Sequence, residues 1–345
     1  MLRSAIPLLL VFFCGRDGSS QEEPDRSARG RLDPQWIQAE RAPKGYFNDV
    51  HFLDEKQGWV AGAAGRIWTT SDGGRAWTEV EGDGKEEYWR GVRFLDARRG
   101  FVVGGLYGPC DGGFPPKVAA TDDGGRTWTD LTPGLLGKNP RGAFDRIQFF
   151  SPTEGLLFGE QLFATHDAGK TWSAVKWENG EISGLQCTFA TAKLGWFLHD
   201  RDLWKTEDGG RTWRLTSAQD ALSEDERVHG ALGLVHFRNE NHGCVITCWG
   251  NVLRTEDGGL SWMVLGRIKH ASVHDVVLTD STQGWAIARE STEGGCWLVL
   301  RTIDGGRTWQ ESYRSVKPLN RLHFIRRDVG WVVGQDTVVR FTADR

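Results

Sequence analysis

The chain has 345 residues, with 17 Trp, 45 Gly and 11 Pro against only 2 Met and 4 Tyr. Lysine plus arginine number 42 and aspartate plus glutamate 46, and the resulting net charge of −4 argues against a nucleic-acid binder. A chain of this length buries a large core without disulfide staples, and its Gly- and Trp-rich composition points away from a helix bundle, toward many short strands joined by tight turns.

In chain order, the first segment is set apart from the rest. Arg3 precedes an apolar run of eight, Ile6 to Phe13, too short to span a bilayer and suited to the core of a signal peptide. Residues 1–20 are therefore expected to direct export to a periplasmic, lumenal or extracellular compartment, with Gly18-Ser19-Ser20 offering small residues for cleavage. Cys14 follows the run as a lipid-modified cysteine would, but Phe12 and Phe13 stand where a lipoprotein signal needs small residues. Residues 21–33 are polar and read as a linker.

From residue 34 to 345 the chain repeats. Six segments read T-x-D-x-G-x-[TSA]-W: Thr70 to Trp77, Thr121 to Trp128, Thr165 to Trp172, Thr206 to Trp213, Thr255 to Trp262 and Thr302 to Trp309. A second motif recurs seven times, an apolar residue with Gly six positions later and usually Trp after it: Phe52/Gly58, Phe94/Gly100, Phe149/Gly155, Phe189/Gly195, Phe237/Gly243, Leu278/Gly284 and Phe324/Gly330. The period of 40 to 55 residues is that of a four-stranded propeller blade. Strand 1 ends at the Phe, strand 2 starts at the Gly-Trp, strand 3 runs into the box and strand 4 leaves from the box Trp. The chain ends on Thr342-Ala343-Asp344-Arg345, the first half of a seventh box, while Trp36 near the start supplies a box-type Trp and an outer strand. The expected fold is an all-β seven-bladed propeller of four-stranded antiparallel blades, closed by the N-terminal strand.

The box aspartates Asp72, Asp123, Asp167, Asp208, Asp257 and Asp304 are assigned a structural task, accepting backbone N–H bonds within their own tight turn. No residue is assigned a catalytic role, and no cofactor is expected. Cys244 and Cys248 are four apart on one strand, too far to bridge. The disulfide state of Cys110, Cys187, Cys244, Cys248 and Cys296 is left open, with buried thiols as the reading. No CxxC pair or Cys/His metal spacing appears, and His270 and His274 lack a third ligand, so no metal site is assigned. Ser217 to Leu222 reads as a capping box opening a short helix that carries Glu224-Asp225-Glu226.

These motifs resemble two groups. The box is similar to the Asp-box, or BNR, repeat of sialidases and other propellers. The longer pattern, F-x5-G-W followed by T-x-D-G-G-x-T-W, resembles the photosystem II assembly and stability factors of chloroplasts and cyanobacteria and their bacterial relatives. The resemblance implies a non-enzymatic lumenal or periplasmic factor, in photosynthesis one that binds a newly made reaction-centre protein through an arginine-rich patch. Gly155-Leu156, Asp167-Ala168-Gly169 and Gly243-Cys244 depart from the pattern, and blades 2 and 6 carry insertions around Cys110 and Cys296.

Subtracting the repeat leaves Trp89, Trp177, Trp249 and Trp297, all in strand 4 to strand 1 connections or strand 2–3 loops, which emerge opposite the boxes. Tyr46, Tyr88, Tyr107 and Tyr313 are expected on the same face, with Arg90, Arg141, Arg146, Arg227 and Arg321. Aromatic residues beside arginine are the composition of interface hot spots, so Tyr88, Trp89, Arg90, Arg146, Trp249, Trp297 and Arg321 are the candidate partner-binding residues. The expected partner is a membrane or envelope protein client. The position before the motif Phe is polar in six blades (His51, Arg93, Gln148, Thr188, His236 and His323), Val277 being the exception, and is expected to border a water-filled channel. The alternatives are a sialidase-like glycosidase, for which Tyr313 with Glu311 is the available nucleophile pair, and a carbohydrate-binding propeller with a glycan as partner.

Overall fold

A computed structural model describes residues 36–40, 42–80, 87–105, 116–132, 135, 144–159, 161–176, 187–199, 202–216, 218–224 and 232–343. The proposed signal segment, Cys14 and the linker lie outside these residues, as do Tyr107, Cys110, Arg141, Trp177 and Arg227.

The described residues form seven four-stranded antiparallel sheets. Six are simple meanders; in the seventh the outermost strand is Trp36–Gln38, paired with Thr337–Thr342 in the register Trp36↔Phe341, Ile37↔Arg340, Gln38↔Val339. The N-terminal strand thus closes the ring. Trp36 seals the junction: it is 2% exposed, its Nε1 donates to Ser312 Oγ at 2.9 Å, and it packs edge-on against Trp285.

The six-residue offset between Phe and Gly has a steric cause. Phe52 and Gly58 face each other across strands 1 and 2, and a Cβ added to Gly58 would lie 2.4 Å from the Phe52 ring. The following Trp points into the next blade. Trp59 stacks on Phe94 at 3.7 Å between centroids and 6° between planes, Trp331 on Phe52 at 3.5 Å and 6°, and Trp196 on Phe237 at 3.3 Å and 3°. Each indole also donates to a glycine carbonyl of the next box: Trp59 to Gly124, Trp196 to Gly258 and Trp331 to Gly73. Trp285 stacks on Phe324 and packs edge-on against Phe341 and Trp36, and among the described residues its Nε1 has no hydrogen-bond partner. The motifs therefore join blades as well as build them.

The region after blade 4 differs from expectation. Ala218–Ala221 is a single 3₁₀ turn that stops before Glu224, while Ser217, Asp225 and Glu226 lie outside the described residues. Cys244 is buried in strand 2 of blade 5, while Cys248 lies just past that strand and is exposed. Cys187, Cys244, Cys248 and Cys296 are all free thiols.

Candidate functional site: the channel mouth opposite the boxes

The boxes bond within their own turns. In the first, Thr70 Oγ1 donates to Asp72 Oδ1 at 2.8 Å, the same oxygen accepts the N–H groups of Arg75 and Ala76, and Trp77 Nε1 donates to Gly74 O. In the third, Asp167 accepts from the Thr171 hydroxyl and N–H and is held at about 2, below the usual carboxylate range. These carboxylates are spent on turn geometry. Among the described residues no group of three His, Cys, Asp or Glu side chains is arranged to hold a metal ion.

The inner strands, by contrast, aim polar groups at the axis. Among the described residues, a β-bulge in six blades sets one residue outside the strand register, four before the motif residue: Asn48, Arg90, Asp145, Gly233, His274 and Asn320. Bulges re-aim side chains, and here four of these residues, Asp145, Gly233, His274 and Asn320, line an axial cavity of about 500 Å³.

Many of these groups bond forward to the next blade's backbone. At the mouth, Asn48 Nδ2 donates to Trp89 O at 2.7 Å and Asn320 Nδ2 to Phe47 O at 2.6 Å; the Tyr88 and Tyr46 hydroxyls donate to the two amide oxygens. One residue deeper, Asp49 accepts the Val92 N–H at 2.9 Å and Asp275 accepts the Leu322 N–H at 2.8 Å, while the Arg146 guanidinium donates to Cys187 O. Deeper again, Gln148 Nε2 donates to Phe189 O at 3.0 Å. His51 Nε2 donates to Phe94 O at 3.0 Å and Nδ1 accepts from Arg93 at 2.9 Å, which requires a neutral imidazole protonated at Nε2. Burial and the nearby Arg93 charge hold His51 well below the usual histidine range.

Arg321 is the centre of the mouth. Its guanidinium lies 3.6 Å from Asp49, 3.8 Å from Asp275 and 4.0 Å from Asp145, and Arg90 reaches Asp145 at 3.7 Å. Burial disfavours the Arg321 charge, but Asp275, Asp49 and Asp145 outweigh it and raise its pKa. Burial raises Asp49 and Asp275, and Arg321 opposes that rise in both.

The candidate residues divide accordingly. Arg90, Arg321 and Arg146 converge on the channel, and Tyr88 stands at its rim with Arg90 5.7 Å from its ring centroid. Trp297 borders the mouth through His274, whose ring lies 4.7 Å away. Trp249 lies in the strand 2–3 loop of blade 5, 39% exposed, as expected. Trp89 is not an exposed anchor: it is 1% exposed and donates from Nε1 to Gly65 O, because it begins an inner strand and turns under blade 1. Tyr313 is not on this face either. A bulge between Glu311 and Tyr313 puts them on different sides of the outer strand of blade 6, so Tyr313 is buried beside Trp36 while Glu311 pairs with Arg314. The nucleophile pair considered for a sialidase is thereby separated. Of the residues just before the motif Phe, Arg93, Thr188, His236 and His323 line the cavity, while His51 and Gln148 bond to the backbone of the next blade.

The residues passed over in the sequence are Asn48, Asp49, Asp145, Asp275 and Asn320. Their signal is a fixed offset of three or four from the motif residue, visible only once a bulge is assumed in the inner strand.

No family model matches the chain, and no curated protein matches it. Solved structures do. The chain is similar to YCF48 bound to a D1 peptide, at 19% identity and a TM-score of 0.66 over 90% of this chain and 94% of that one. It is similar to YCF48 from Cyanidioschyzon merolae, at 18% identity and a TM-score of 0.67 over 89% and 98%. It also matches a GH74 xyloglucanase from Xanthomonas campestris at 13% identity and a TM-score of 0.62, covering 88% of this chain but only 53% of the enzyme. The seven-bladed fold is thus shared with the propellers that the repeat pattern resembles, and with one part of a larger glycosidase.

Proposed function

We propose that the protein is an exported, non-enzymatic assembly factor that binds a segment of a membrane or envelope protein across the channel mouth opposite the boxes. The observation that carries this reading is the mouth itself. Arg321 and Arg90, ion-paired with Asp49, Asp145 and Asp275, stand in a ring of inter-blade hydrogen bonds, with Tyr88, Trp297 and Trp249 on the same face. A guanidinium recognises carboxylates and backbone carbonyls in a fixed geometry, and aromatic side chains supply contact area at low entropic cost. That a propeller of the same fold has been captured with a D1 peptide supports a polypeptide as the partner class.

The test is site-specific photo-crosslinking in the native envelope, with the photoreactive residue at Trp249 or Trp297 and, as control, at the exposed box-face Ile303. Crosslinking of one membrane protein from the first two positions, reduced at least about tenfold by Arg90→Ala, is the expected result. Equal labelling from Ile303, or labelling unchanged by Arg90→Ala, would overturn the assignment of the face.

A further inference from the structure

Charge is divided unequally around the channel. Asp49, Asp145 and Asp275 all lie within 4.0 Å of Arg321. Arg93 and Arg146, from blades 2 and 3, line the same cavity, and among the described residues neither has a carboxylate within 4.0 Å. A guanidinium carries five N–H donors. The described residues engage one donor of Arg93, through His51, and one of Arg146, through Cys187 O. Arg146 Nε is enclosed without a partner, and the Arg146 guanidinium lies 4.5 Å from the centroid of the Phe158 ring, which fixes its plane. Thr188 and His236 line the cavity beyond them. Burial lowers the pKa of both arginines, against the longer-range attraction of Asp49 on Arg93 and of Asp145 and Asp275 on Arg146.

We propose that this side of the channel, below the mouth, is a binding site for a small carboxylate held by the Arg93 and Arg146 guanidiniums. Planar forks match a carboxylate's two oxygens better than a spherical halide. A cavity of about 500 Å³ suits a small organic acid. The site is distinct from the rim residues offered to a polypeptide client.

The experiment uses the full chain with benzoate as probe, against chloride at matched ionic strength, read by thermal melting and titration calorimetry. Expected are a saturable rise of about 2–5 °C with benzoate and no comparable rise with chloride. A crystal grown with 4-bromobenzoate should show bromine anomalous density in the channel. Arg93→Lys keeps the charge and loses the fork, so benzoate affinity should fall about tenfold in it, and Arg146→Lys should behave alike. An equal shift with chloride would reduce the site to a counter-ion position. That outcome, bromine density elsewhere, or unchanged affinity in both lysine variants overturns the proposal.

Discussion

The junction between blades 1 and 2 and the junction between blades 5 and 6 share one backbone and differ in nearly every side chain. At the first, Trp59 stacks on Phe94 and donates to Gly124 O, and Asn48, Asp49 and His51 each bond to the next inner strand. At the second, Cys244 stands in place of the Trp, Leu278 in place of the Phe, and Gly233 and Leu234 occupy the two latch positions nearest the mouth. Cys244 and Leu278 share one apolar cluster, so the two losses are matched. The propeller therefore closes with fewer polar latches at this junction, where His236 still bonds forward to the Leu278 backbone. Carboxylates, amides and arginines on blades 6, 7, 1, 2 and 3 exceed what the fold demands, and this makes that side of the mouth the place to look for function.

The sharpest way to break this comparison is to delete the two packing elements in turn. Trp59→Ala removes a fully buried ring, its stack and its hydrogen bond, and should cost about 3–5 kcal/mol in urea unfolding. Leu278→Ala should cost about 2–4 kcal/mol, and Cys244→Ala about 1 kcal/mol. A Cys244→Ala loss as large as that of Trp59→Ala would show that the blade 5–6 junction is held by something other than the apolar exchange described.

Arg321→Met tests the polar side. It leaves Asp49, Asp145 and Asp275 facing one another without their shared cation, and should cost about 2–3 kcal/mol at neutral pH, below the fully buried case because the mouth is partly hydrated. The loss should shrink on acidification, since carboxylates already raised by burial take up protons first. A loss independent of pH would assign Arg321 a packing role only. Asn48→Ala should cost about 1–2 kcal/mol, because it strands both Trp89 O and the Tyr88 hydroxyl.

The sequence carried the ring, the blade count and the closure, because those depend on motifs repeated six or seven times with fixed offsets. It carried the site less well. Trp89 and Tyr313 stand out by composition, yet a strand start and a bulge turn both inward. Asp49, Asp145 and Asp275 lie outside both repeated motifs, and their convergence on Arg321 brings together residues between 46 and 272 positions apart. Linear offsets report blade geometry well; they report what meets on the axis only after the ring is closed and the bulges are placed.

The smallest effect sets the blade 5–6 junction against the blade 7–1 junction, where His323 faces Phe52 O, and it is read by pH. His236, on blade 5, is lowered to about 4 by burial and the Arg146 charge, and His323, on blade 7, to about 3 by burial and the Arg93 charge. Both imidazoles are neutral in the folded chain at pH 7, and both would take up a proton near pH 6.5 when unfolded. A folded pKa below the unfolded one means that stability is present above about pH 6.5 and is lost as pH falls toward the folded value. His236→Gln should therefore flatten the stability profile between about pH 6.5 and 4, and His323→Gln should flatten it over a window reaching about pH 3. Below about pH 4 the box aspartates add their own loss, since Asp167, Asp257 and Asp304 are held at about 2. Proton NMR titration of the two imidazoles checks the order directly. Titration of either near 6.5 in the folded chain would mean that the axis is as wet as bulk solvent, and that polar latches on blades 6, 7, 1, 2 and 3 are not needed to hold the channel shut.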